Sequence, residues 1–161
     1  DRAKKVAARR SPFVQAPDRA APQARLMTAH LSSLIGSSLA LAVGALATGA
    51  GLDRDRAFYP TVMIVIASYY VLFAVIGGSS AVLLGECAVM AGFLAAALVG
   101  FRRTLWWVVA ALAAHAVLDL IHPHLTTNPG VPAWWPDFCL AYDGVAACYL
   151  AASLLRSRPS R

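Results

Sequence analysis

No aspartate, glutamate, lysine or arginine occurs between Leu26 and Leu52. A helix crosses a bilayer with about 20 consecutive apolar positions, so this run predicts a first transmembrane span. The pattern then recurs. After the polar loop Asp53–Arg54–Asp55–Arg56, the chain from Ala57 to Phe101 carries a single charge, Glu86. That stretch is too long for one span and fits two, with Gly77–Gly78–Ser79–Ser80 as the turn between them. Arg102–Arg103 closes the third span, and a fourth is expected from Thr104 to His122. Pro123, which lacks a backbone N–H, is expected to stop it. Asn128–Pro129–Gly130 has the order of a β-turn. Trp134–Trp135 is an aromatic pair of the kind that sits at the headgroup level. Pro136 and Asp137 open a fifth span ending near Leu155.

Composition agrees with this reading. The chain is 59% hydrophobic and 14% charged, against about 25% charged residues in soluble domains. A chain this apolar does not stay solvated as a disordered polymer either. The expected fold is an all-α, polytopic bundle of five transmembrane helices over residues 26–155. A basic tail over 1–25 precedes it and a short basic tail over 156–161 follows. The formal charge of +6 is no nucleic-acid signature, because seven of the 14 basic residues lie in residues 1–25. That tail has three prolines and no helical period, so it is expected to be disordered or loosely held by anionic lipid. It lacks the apolar run of a signal peptide, and Met27 is a candidate start.

Five crossings place the Asp53–Arg56 loop, the Arg102–Arg103 loop and the C-terminus on one side. With the N-terminal tail counted, each side carries seven basic residues; the agreement of three separate basic segments predicts that their side, and so the C-terminus, is cytoplasmic, in a plasma or inner membrane. Two helices show small residues at every fourth position: Gly36, Ala40, Gly44 and Thr48 in the first, Ala88, Gly92, Ala96 and Gly100 in the third. Such faces let membrane helices approach closely. Besides the lipid bilayer, the partners expected are therefore other membrane proteins docking on these faces.

Three acids fall within the expected spans, where ionisable groups are costly and by default functional. Counted from the surface opposite the basic loops, Glu86, Asp119 and Asp143 lie at one depth of about 9–10 Å. No lysine or arginine shares that half of the spans. Histidines gather at the same level. In His115-Ala-Val-Leu-Asp119-Leu-Ile-His122 the offsets of four and seven put all three polar groups on one helix face. His124 falls on the opposite face, and His30 opens the first span on the same side of the membrane.

Imidazole with carboxylate suits a divalent metal, namely Zn, Fe or Mn. The metal site expected from sequence is thus His115, Asp119 and His122, completed by Glu86 and Asp143. Residues 124–136 are expected to cap it. The same groups also suit two other uses, hydrogen-bonded cross-linking of helices and passage of protons or ions. Haem ligation by His30 and His115 is a further arrangement two helices permit. Tyr69 and Tyr142 are the candidate outer donors. Cys87, Cys139 and Cys148 form no CxxC pair and read as small core residues. HExxH, GxSxG and phosphate-binding glycine loops are all absent from the sequence, which excludes a zincin-type protease on motif grounds. The leading functional expectation is a metal-dependent membrane enzyme or redox factor. Its competitors are a non-catalytic subunit or assembly factor of a larger membrane complex, and a proton or ion pathway.

Overall fold

The structure, a computed structural model, describes residues 20–157. Most of the N-terminal tail and the last four residues of the C-terminal tail lie outside the described residues. Five α-helices follow one another: α1 (Ala20–Ala50), α2 (Phe58–Ile76), α3 (Ser80–Arg102), α4 (Trp106–Leu125) and α5 (Trp135–Arg156). A 3₁₀ turn, Leu52–Arg54, joins α1 to α2, and there is no strand among the described residues. All five helices are long and apolar enough to cross a membrane. The all-α five-span architecture is as expected.

Two helix ends differ from expectation. α1 starts at Ala20, six residues before the uncharged run. Its opening Ala-Ala-Pro-Gln-Ala is rich in helix formers, and Pro22 falls in the first turn, where no intrahelical N–H is needed. Residues 20–25 are thus helix rather than loose tail, and the Arg25 side chain is exposed. α4 does not stop at Pro123 but runs through it to Leu125. The proline removes only the N–H that would reach the Asp119 carbonyl, and the helix ends a turn later where the Thr126 N–H meets the His122 carbonyl at 3.0 Å. The Gly77–Gly78 turn forms as expected, with Gly78 in the left-handed region at φ 69°.

α5 packs between α1 and α4, while α2 packs on α3 and touches α4. α4 is thereby the central helix, and its inward stripe is Val108, Leu112, His115, Asp119 and His122. Outward positions such as Leu34, Leu46, Leu84, Val117 and Leu120 stay exposed, as lipid contact requires. The small-residue face of α1 is used inside the protein. A Cβ on Gly36 would strike the Phe138 carbonyl of α5, and one on Gly44 would sit 2.9 Å from the Tyr149 ring. The corresponding face of α3 is used inside the protein only at its far end, where a Cβ on Gly100 would sit 2.5 Å from the Val108 side chain of α4, whereas Cβ atoms on Gly85 and Gly92 would meet nothing within 4 Å.

Close packing is the main force between helices in lipid, so Gly36→Leu is expected to detach α1 from α5. The backbone at Phe138 cannot yield as a flexible side chain would. Overpacking costs of about 1–3 kcal/mol or more follow. Limited proteolysis at the Gly51–Arg56 loop is expected to speed up at least several-fold, and an unchanged cleavage rate would contradict this helix pairing.

Candidate metal centre

Helical periodicity places His115 and Asp119 one turn apart on the inner face of α4. α5 brings Cys139 and Asp143 opposite them, again four residues apart. All four side chains are buried, and one ligand atom from each lies within 4.8 Å of the others. His115 Nδ1 is 2.7 Å from Asp143 Oδ2 and 3.3 Å from Asp119 Oδ2. The Cys139 thiol donates to Asp143 Oδ2 across 3.8 Å. Phe93 of α3 meets the His115 ring edge-on at 4.9 Å, and with the rest of the core keeps water from it.

From α2, the Tyr70 hydroxyl donates to Asp119 Oδ1 at 2.7 Å. That bond fixes one oxygen of Asp119 and leaves the other turned toward His115. Asp119 Oδ2 and Asp143 Oδ1 have no hydrogen-bond partner among the described residues. The 3.3 Å separation of Asp119 Oδ2 from His115 Nδ1 satisfies an ion-pair distance but not hydrogen-bond geometry. Asp143 has given its short contact to the same nitrogen. One imidazole N–H therefore faces two carboxylates, and two oxygens are left over.

Glu86 and His122, expected in the same site, form a neighbouring unit instead. His122 Nε2 pairs with Glu86 Oε1 at 2.8 Å, and the Asn128 side-chain amide donates to the same oxygen at 3.1 Å. The reason is axial distance: seven residues of helix separate His115 from His122 by about 10 Å, too far for one ion. Tyr70 joins the two units. Its ring stacks on His122 at 4.0 Å, its hydroxyl reaches Asp119, and its carbonyl accepts from Asn128 at 3.2 Å.

Glu86 lies six residues into α3, Asp119 six from the end of α4 and Asp143 eight into α5, depths of about 9, 9 and 12 Å. All three are buried. Residues 126–134 lie over this end of the bundle. Val131 N–H closes the Asn128 turn at 3.1 Å, and a Cβ on Gly130 would strike the Phe73 carbonyl at the end of α2.

Other expectations need correction. His30 is exposed on α1, a helix that packs on α5 rather than α4, so it does not reach His115 as haem ligation would require. His124, by contrast, is exposed and off the inner stripe, as its helical phase predicts. Tyr69 packs on Trp135 and Tyr142 on Phe138, and the outer donor is Tyr70. Cys139 belongs to the cluster, while Cys87 and Cys148 are exposed. Its sequence signal was the four-residue spacing to Asp143. No protein-family model matches the chain, and neither a curated protein nor a solved structure matches it.

Proposed function

We propose that the protein is an integral membrane metalloprotein in which His115, Asp119 and Asp143 hold one divalent ion, used for chemistry on a membrane-borne substrate. The observation that carries this reading is the pair of buried carboxylate oxygens without donors, one each on Asp119 and Asp143. Buried polar atoms are nearly always satisfied, and a cation between the two acids satisfies both. Charge supports the same choice. Two carboxylates neutralise a dication, and no lysine or arginine lies within the core of the spans to balance them otherwise. The His115 N–H proton leaves when the metal takes its place.

Cys139 stays a thiol in this account. A thiolate would leave the site one negative charge in excess, a costly state at low dielectric. Three protein ligands leave a further coordination position, the arrangement of catalytic rather than structural sites. Nitrogen and carboxylate donors fit Zn²⁺, Fe²⁺ or Mn²⁺. The three ligand atoms lie within 4.8 Å of one another and need only modest contraction toward the separation of about 3.4 Å that bonds near 2.1 Å impose on a tetrahedron. Tyr70 orients Asp119 from outside, as outer-shell partners of metal ligands do.

The Glu86–His122–Asn128 unit is read as a helix and loop cross-link, since its contacts are mutual and it lies beside the ion rather than on it. We also infer that the protein sits in a plasma or inner membrane with the C-terminus in the cytoplasm. Arg54, Arg56, Arg102, Arg103 and Arg156 share one end of the bundle, where the Arg56 guanidinium donates to the Gly100 carbonyl at 3.2 Å. The candidate centre then lies in the opposite leaflet. A second reading, a non-catalytic subunit of a larger complex, draws on the outward small-residue face of α3 at Gly85, Ala88 and Gly92. It requires a co-purifying membrane partner and a metal-free chain.

Elemental analysis of the protein purified in mild detergent tests the metal reading. About one ion per chain is expected, lost in His115→Ala and retained in His124→Ala and His122→Ala. Tyr70→Phe is expected to weaken metal affinity about 10–100-fold, the usual effect of losing an outer-shell partner. Equal metal content in wild type and His115→Ala would overturn the assignment.

A further inference from the structure

Between the loop of residues 126–134 and the adjoining ends of α4 and α5 lies a cavity of about 310 Å³, with His122, Thr126, Thr127 and Asn128 in its wall. Thr127 is exposed at the rim, whereas His122 and Asn128 are 5% and 8% exposed at the floor. The rim lies beyond Leu125, the last residue of α4, and close in sequence to Trp134, so it sits at the headgroup level within reach of water. At the floor, His122 Nε2 and the Asn128 amide both meet Glu86 Oε1. Asp119 follows on the same stripe of α4, about 5 Å further along the axis. Tyr70 bridges that interval, its ring on His122 and its hydroxyl on Asp119. Polar groups thus follow one another from the surface to Asp119, whose Oδ2 has no donor.

No other such series leaves the centre among the described residues. Toward the arginine end, Met63, Val108, Leu112 and Leu150 are at most 1% exposed. They close the core between His115 and a second cavity at Leu52 and Asp55. Sideways, the groove between α3 and α4 has no ionisable or hydroxyl side chain in its wall, and Phe93 covers His115 there. The crevice between α2 and α5 reaches Cys139 but opens past Leu39 and Val65, which lie within spans. A dication that has shed its water is not stable against hydrocarbon.

We propose, resting on the metal reading, that the cavity under the loop is the port of the divalent ion, and that Glu86 and His122 form a transit site holding the ion before Asp119 does. Threonine hydroxyls and the Asn128 amide oxygen offer neutral oxygens in place of shed water, and imidazole with carboxylate then suits the metals named above. Glu86 is the first anionic group the ion meets behind the floor. As the ion takes His122 Nε2, the proton shared with Glu86 leaves, and it returns once the ion has passed. Two carboxylates and His115 at the centre hold a dication more tightly than one carboxylate and His122, so the ion moves inward. At rest the Glu86–His122 pair is the cross-link already described. With the orientation inferred above, the ion is drawn from the side of the membrane opposite the cytoplasm.

The test is the rate of Zn²⁺ uptake by the full chain in nanodiscs, and of its release to a chelator. Thr127→Cys carrying a bulky neutral thiosulfonate adduct is expected to slow both rates about tenfold or more, because every other route crosses hydrocarbon. A reductant that removes the adduct is expected to restore them. The amount bound at equilibrium is expected to stay the same throughout, since a port sets rates and not affinity. Glu86→Gln keeps an oxygen to accept from His122 and Asn128 but removes the charge, and is expected to slow both rates about tenfold. The same adduct on Leu52→Cys, at the arginine end, is expected to change neither rate, as is the reagent on wild type with its exposed Cys87 and Cys148. Equal rates with and without the Thr127 adduct would overturn the port and leave the centre standing. Slowing by the Leu52 adduct instead would overturn it too. A wild type that takes up no Zn²⁺, Fe²⁺ or Mn²⁺ would overturn the metal reading and the port with it.

Discussion

Asp143→Ala is expected to empty the centre of metal and to destabilise the bundle more than any other single side-chain truncation at this site. His115 Nδ1 loses its 2.7 Å partner on α5, and only Asp119 at 3.3 Å remains beside it. The Cys139 thiol loses its acceptor in the same step. Breaking a buried charged pair by removing one partner costs about 3–5 kcal/mol, which steric trapping or detergent unfolding resolves. Asp143→Asn separates the two effects. Its amide oxygen still accepts from His115, so most of the stability is expected to return, whereas metal remains lost because one neutralising charge is gone. Asp137→Ala, in the first turn of the same helix, is expected to change neither.

The second large effect is expected from Gly130→Val. Gly130 lies against the Phe73 carbonyl, and the Gly77 amide is 3.0 Å from where its Cβ would be. Two backbones meet there, so neither side chain packing nor rotamer change relieves the clash. The loop from Thr126 to Trp134 is then expected to lift, breaking the Asn128 bonds to Glu86 and to the Tyr70 carbonyl. Overpacking with loss of two buried hydrogen bonds costs about 3–5 kcal/mol in all. Hydrogen exchange is expected to rise by two or more orders of magnitude at the Val131 amide, which is otherwise held by the Asn128 carbonyl. Protection equal to wild type would show that the loop does not dock through Gly130.

Much of this was legible in the chain, and for physical reasons. Charge-free runs mark spans because lipid does not tolerate exposed ions, and alternating topology then sets the depth of Glu86, Asp119 and Asp143. The inward face of α4 followed from the offsets 115, 119 and 122, which helical geometry makes binding. What the chain hid is rotational phase and neighbour identity. α2 has a mean hydropathy of 2.0 over its span, so apolar residues surround it on every side. Nothing in its pattern tells Tyr69 from Tyr70, although about 100° of helix rotation separates them and only Tyr70 reaches Asp119.

Cys139 was hidden for another reason. A single thiol with no second cysteine nearby carries no motif of its own, and its four-residue spacing to Asp143 gains meaning only once α5 is turned so that Asp143 faces His115. Asn128 reads as a turn residue and is one, yet its amide also spans from α2 to α3. The division of the five expected ligands into two units needs the axial rise as well as the shared face. His122 is on the right stripe and one turn too far along it.

X-ray absorption at the metal edge of the purified protein reaches the central claim most directly. The expected spectrum shows about one ion per chain with nitrogen and oxygen neighbours at about 2.0–2.2 Å, no sulfur neighbour, and no edge at all in Asp143→Asn. A chain that binds no Zn, Fe or Mn above the level of Asp143→Asn would contradict it, and would leave His115, Asp119 and Asp143 as a polar clasp between α4 and α5.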